Sequence, residues 1–231
     1  MNGPKNSTKK TVLVTGATGN LGQAVVQKFL SKNYNVVASS HSDKFEQGTG
    51  SLRYLKTDLN DETKAAEFVE NAISSKGRIH AAVFTVGGFS MGDISETDEH
   101  ALLNLYRLNF LSAWFCIRPL FQHMLETGEG RIVLIGSKPG QNPGLGKDMV
   151  AYTLSKSLLL ALADILNADR KNHGIITSVI VPGTIDTASN RKAMPDADFS
   201  KWVTPEVMAE KIYYVCTVNP DNLKQHVIEM Y

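Results

Sequence analysis

The sequence predicts an α/β protein, a single domain built on one doubly wound parallel sheet of about seven strands with helices on both faces. Three observations predict it. Short β-branched runs alternate with helix-period segments from residue 11 onward. Strands separated by helices pair in parallel through right-handed crossovers. Several apolar runs also end at small or turn-forming residues, as at Thr15-Gly16, Ser39-Ser40, Gly87-Gly88, Gly136-Ser137 and Pro182-Gly183. In such a sheet, ligands sit at the carboxyl ends of the strands.

The elements follow in order. Val12-Leu13-Val14 is the first strand, and Ala24 to Leu30 is helical, with Val25, Val26, Phe29 and Leu30 at helix spacing. Asn35 to Ala38 and Leu52 to Leu55 are the next strands, the latter running into Thr57-Asp58. Asp61 to Ser75 is an amphipathic helix. Ile79 to Val86 is a continuous apolar run, the mark of a strand buried on both faces. His100 to Met124 reads as one long helix, followed by a strand from Arg131 to Gly136. Ala151 to Arg170 is a helix with Leu158, Leu162, Ile165 and Leu166 on one stripe. Ile175 to Val181 is a strand stopped by Pro182-Gly183. Pro205 opens a last helix to Val218, and His226 to Met230 is the final strand.

Composition sets bounds. A chain of 231 residues buries a sizeable core, and a net charge of +1 gives no reason to expect nucleic acid or an acidic membrane as partner. Cys116 and Cys216 are far apart in apolar stretches, which argues for a reducing, cytoplasmic setting and against a disulfide framework or a metal site. Residues 1–10 are polar and basic, unlike a secretory signal, and read as a disordered tail before a domain spanning 11–231. No apolar run is expected to span a bilayer.

Two motifs carry chemistry. In Thr15-Gly16-Ala17-Thr18-Gly19-Asn20-Leu21-Gly22, a glycine turn joins a strand to a helix. Gly16 permits the turn, Gly19 lets backbone approach phosphate, and Gly22 lets helix and strand pack closely, which suits a dinucleotide's pyrophosphate. After the second strand, Ser39-Ser40-His41-Ser42 offers no acid before Asp43, with Lys44 nearby. An NAD site wants a carboxylate there, so these residues favour NADP over NAD, the other reading being ordinary turn residues. Asp58 either accepts from an adenine amino group or caps the helix near Asp61. Asn109 lies between Leu108 and Phe110 and is either a satisfied core amide or the holder of a proton-relaying water.

The second motif is Tyr152-Thr153-Leu154-Ser155-Lys156, a phenol and an ammonium at i, i+4 on one helix face. A free phenol titrates near ~10, and a neighbouring ammonium is expected to lower that value, making Tyr152 a general acid. Ser137, at the preceding strand end, is placed to donate to a substrate oxygen. Pro182-Gly183-Thr184-Ile185-Asp186-Thr187 is suited to hold a carboxamide through its backbone and Thr187.

In this order these residues resemble the short-chain dehydrogenase/reductases over about residues 11–231. The resemblance implies a Rossmann-type fold, hydride transfer with NAD(P)H, and a tetrad of Asn109, Ser137, Tyr152 and Lys156. It also implies cofactor contacts at Leu59, Val86, Gly87 and Gly88, with Lys156 holding the nicotinamide ribose. Two departures stand out: Asn20 occupies a place usually held by glycine, and Thr85-Val86-Gly87-Gly88 replaces Asn-Asn-Ala-Gly. The stretch from Ile185 to Trp202, with Val86 to Phe89, is similar to dihydropteridine reductases, which lack the active-site serine and carry the acid for NADH.

The sequence reading is therefore an NAD(P)H-dependent carbonyl reductase or alcohol dehydrogenase with a small-molecule substrate. A quinonoid dihydropteridine reductase is the alternative, and a silent NAD(P)-binding regulator the third. Leu105, Leu108, Leu111, Trp114, Phe115, Leu120 and Phe121 exceed one buried stripe, so a homodimer or homotetramer is expected. Met194, Phe199 and Trp202 either line the substrate or pack among themselves.

Overall fold

The computed structural model describes residues 9–41, 50–168, 174–223 and 225–231. Residues 1–8, Ser42, Asp43, Lys44 and the expected helix end at Arg170 lie outside these. Among the described residues the strands are β1 (Thr11–Thr15), β2 (Asn35–Ser40), β3 (Leu52–Lys56), β4 (Ala81–Phe84), β5 (Gly130–Ile135), β6 (Ile175–Pro182) and β7 (Val227–Met230). They form one sheet in the order β3-β2-β1-β4-β5-β6-β7, with every pair parallel. The order reverses beside β1, which places a switch point between β1 and β4.

The helices are α1 (Asn20–Ser31), α2 (Glu62–Lys76), α3 (Glu99–Tyr106), α4 (Ser112–Thr127), α5 (Lys138–Gln141), α6 (Val150–Asn167), α7 (Ala188–Ala193) and α8 (Pro205–Thr217). Strand side chains alternate between two cores. Val12, Val14, Val36, Ala38, Val83 and Ile180 meet α1 and α8 on one face. Leu13, Val37, Phe84, Ile132, Leu134 and Val179 meet α2, α4 and α6 on the other.

Three sequence readings change. The expected helix from His100 to Met124 is interrupted by a π-helical turn, Arg107–Leu111. The widened turn carries Asn109 inward, to 1% exposure, where an unbroken helix would place it differently. The apolar run from Ile79 to Val86 pairs as strand only over Ala81–Phe84, because Thr85 turns its hydroxyl back onto β1. Helix α6 does reach the length and apolarity of a membrane span. It lies on the sheet with Leu159, Leu162 and Ala163 in the core, which accounts for its composition.

Two histidines hold the other edge of the sheet. His80 Nδ1 accepts from the Thr11 N–H at 3.1 Å, and His123 Nε2 accepts from the Ile79 N–H at 3.2 Å. An imidazole nitrogen accepts only when unprotonated. Burial first, with the Arg78 charge, holds both pKa values below the ordinary histidine range. A depressed folded value means the stabilisation is complete above the unfolded pKa near ~6.5 and is lost as pH falls through the folded values. The melting temperature should therefore fall between pH 7 and 5, by roughly 2–4 °C per histidine. His80→Gln and His123→Gln, which keep an acceptor but cannot titrate, should flatten that profile in thermal melts; an unaltered profile in the double variant would contradict the assignment.

Candidate active site

Parallel pairing puts every strand's carboxyl end on one edge, and the sequence-selected residues gather there. At the end of β1, Gly16 adopts φ 63°, in the left-handed region that favours glycine. A Cβ on Gly22 would lie 2.1 Å from the Gly16 carbonyl oxygen, so only glycine lets α1 sit this close to the turn. Gly19 is the N-cap of α1 and donates to the Gly16 carbonyl at 3.0 Å. Asp61, Asp98, Thr187 and Thr204 each cap their helix with a side chain, but no side chain caps α1 and its first turn holds no acid. Among the described residues the amides of Asn20 and its neighbours thus have no side-chain cap, which suits a pyrophosphate. Leu21 anchors the helix in the core, and the Thr18 carbonyl accepts from Gln23 Nε2 at 2.7 Å.

The neighbouring strands grip this turn. Ser39 Oγ accepts from the Gly16 N–H at 3.1 Å. Thr85 Oγ1 donates to the Thr15 carbonyl at 2.7 Å and lies 3.3 Å from that of Gly16. The sequence reading sets Ser39 toward a ribose; the structure turns its hydroxyl into the glycine turn. Ser40 is buried, and exposed His41 donates from Nδ1 to the Thr57 carbonyl at 3.3 Å. Asp58 accepts from the Asn60 N–H at 3.0 Å, while Asp61 accepts from Lys64 and caps α2 in its place. The Leu59 side chain belongs to the core.

The reactive groups meet between β5 and α6. Ser137 is 4% exposed and caps α5, accepting from the Gly140 N–H at 3.0 Å. Its hydroxyl favours the ionised Tyr152 phenol, which opposes the larger effect of burial. Burial wins and raises the Tyr152 pKa. This corrects the expected lowering by Lys156, because the Lys156 ammonium donates instead to the Ile135 carbonyl at 2.8 Å. Lys156 is 5% exposed, and burial pulls its pKa down to about 8. A Cβ on Gly140 would lie 2.8 Å from Lys156 Cβ, and one on Gly87 would lie 3.2 Å from Lys156 Nζ. Glycines on both sides admit the lysine.

Asn109 proves to be a fully engaged core amide. Its Oδ1 accepts from the Gly88 N–H at 2.7 Å; its Nδ2 donates to the Gly88 carbonyl at 3.1 Å and to Ser155 Oγ at 2.9 Å. Val86 packs on the core beside it. Beyond β6, Gly183 pairs with Met230, and Thr184 and Asp186 pair with Val203, closing the base of the following loop. Ile185 packs on the core, and Thr187 Oγ1 accepts from the Asn190 N–H at 3.1 Å. Phe199 and Trp202 pack on each other at 4.7 Å with the Arg191 guanidinium over Phe199, so they are the loop's own packing; Met194 is exposed.

Two neighbours of the site escape the motif reading. Phe89 is 59% exposed and meets the Tyr152 ring edge-on at 5.0 Å. Its signal is its place directly after Gly87-Gly88. Thr85 stands where the resembled family carries asparagine. A groove of about 790 Å³ between α1 and α8 touches the site at its margin, through Asn20, Asp186 and Thr187. The converging catalytic-type groups lie elsewhere.

Comparisons with known proteins agree with this geometry. The family model for short chain dehydrogenase matches residues 10–198. The chain is 29% identical over 208 residues to a dihydropteridine reductase from Dictyostelium discoideum, covering 88% of this chain and 86% of that one. It is 26% identical over 187 residues to an acetoacetyl-CoA reductase from an Acinetobacter species, covering 77% and 75%. Its fold superposes on ElxO with NADP bound at a TM-score of 0.85, with 24% identity and coverage of 96% and 97%. With a match running from the first strand past the sixth, the chain belongs to the short-chain dehydrogenases, NAD(P)-dependent oxidoreductases.

Proposed function

We propose that this chain reduces a small-molecule carbonyl, or oxidises the corresponding alcohol, with Tyr152 as the proton donor and acceptor and NADP(H) as the preferred cofactor. The observation that carries the reading is Lys156. A nearly fully buried ammonium, set beside Tyr152 on α6 and reaching the end of β5, is costly to fold and is kept for its charge.

A nicotinamide held here would supply or accept the hydride. The chain's own residues do the rest. A carbonyl oxygen would accept from the hydroxyls of Ser137 and Tyr152, and Tyr152 would pass its proton to that oxygen. Lys156, on the same helix face as Tyr152 and held by the Ile135 carbonyl, would bind the nicotinamide ribose through its ammonium. Asn109 keeps Gly88 and the Tyr152 turn in register, acting through Ser155, whose hydroxyl donates to the Tyr152 carbonyl at 2.8 Å. The α1 amides would hold the pyrophosphate of the dinucleotide, and the Pro182 to Thr187 segment its nicotinamide carboxamide. Ser40 and His41, at the end of β2, would stand nearest the adenosine ribose, and among the described residues there the chain offers no acid. Phe89 gives the mouth an apolar wall.

A second reading has a specific support. The similarity to a dihydropteridine reductase over most of both chains keeps a quinonoid dihydropterin as the alternative substrate. Ser137 favours a carbonyl, since a pterin leaves no alkoxide for a hydroxyl to stabilise.

The chain is also proposed to assemble as a homodimer or homotetramer, in a reducing, cytoplasmic setting. Leu105 and Leu120 belong to the monomer's core, but Leu102, Leu103, Leu154 and Leu158 stay exposed on α3 and α6. Such a face suits a second copy.

Tyr152→Phe should lower kcat by about 10²-fold or more while leaving NADPH affinity nearly unchanged, and Ser137→Ala should lower it by roughly tenfold or more. Undiminished turnover in the tyrosine variant removes the assignment, and dihydropterin turnover that survives Ser137→Ala promotes the second reading. The ratio of kcat/KM with NADPH and NADH is expected to favour NADPH; a clear NADH preference reverses the cofactor reading. Light scattering at micromolar concentration should give at least a dimer mass, and a monomer would contradict the interface.

A further inference from the structure

We propose that Ser39 and Thr85 are positioning residues that clamp the Thr15–Gly16 peptide plane in the orientation the dinucleotide's pyrophosphate requires. The proposal rests on the cofactor site described above. The two hydroxyls come from β2 and β4, the strands on either side of β1. Ser39 takes the N–H of this peptide at 3.1 Å, and Thr85 donates to its carbonyl at 2.7 Å. One plane is thus gripped at both ends from opposite sides. Gly16 needs such a grip, because glycine at φ 63° resists rotation less than any other residue.

The consequence travels into the turn. The Gly16 carbonyl receives the Gly19 N–H at 3.0 Å, and this bond directs the amides that follow. Thr85 also fills the space in front of Gly16: a Cβ there would lie 2.8 Å from its hydroxyl oxygen. On its other side Thr85 leads to Gly88, held at both backbone groups by Asn109. The β4 connection is thereby fastened to the cofactor turn at one end and to the reactive centre at the other.

The test uses the full chain with Thr85→Val, Thr85→Ser and Ser39→Ala. NADPH binding is followed by fluorescence titration, with steady-state kinetics and thermal melts in parallel. Thr85→Val should weaken NADPH binding roughly fivefold and raise the cofactor KM in step, with kcat at saturating cofactor within roughly twofold of wild type. Thr85→Ser, which restores the hydroxyl, should recover the affinity. Ser39→Ala should weaken binding similarly, and decides the matter should Thr85→Val not fold. Unchanged NADPH affinity in these variants, whatever the melting temperature does, overturns the clamp and leaves the cofactor site standing. A loss confined to kcat also overturns it. A wild-type chain that binds neither NADPH nor NADH overturns the cofactor reading, and the clamp with it.

Discussion

The site depends on keeping one ammonium out of water. Lys156 sits on a helix whose inner face is otherwise apolar or small, and its charge meets a backbone carbonyl at the end of β5. Burying a cation without a carboxylate opposes folding, so everything around it must be arranged to tolerate it. Gly87 and Gly140 bring backbone close on two sides, where any side chain would collide with the lysine or its neighbours. The π-helical turn brings Asn109 to the same place and spends its whole amide on Gly88 and Ser155. The result is a closely packed, buried wall behind Tyr152. There, burial raises the phenol's pKa and the Ser137 hydroxyl opposes it.

The glycine turn is the second fixed point, and it is linked to the first. Parallel pairing puts β2, β1 and β4 side by side, so hydroxyls at the ends of β2 and β4 reach the peptide that leaves β1. The β4 connection then continues into Gly87 and Gly88 beside the lysine. Cofactor turn and reactive centre are joined by four consecutive residues, Thr85 to Gly88, rather than by a long path through the core. Phe89 follows at once and lies edge-on to Tyr152. The short connection after β4 therefore sets both the depth of the site and the character of its mouth.

Much of this was legible before any coordinates. Hydrophobic period and strand-end glycines give the parallel sheet, because a parallel strand buried on both faces must be apolar throughout and must end in a turn. The spacing of Tyr152 and Lys156 puts them on one helix face, and Gly22 is demanded by helix-on-strand contact. Tertiary structure decided the rest. Which way Ser39 points depends on the neighbouring strand, not on its own. Whether Asp58 or Asp61 caps α2 depends on where the backbone turns. The Tyr152 pKa moves opposite to the expectation from local spacing, because desolvation depends on the whole surrounding fold and the Lys156 charge is drawn away to Ile135. Sequence spacing fixes which groups share a face. Only the packed chain fixes their orientation, their solvent and their partners, because those are set by residues remote in sequence.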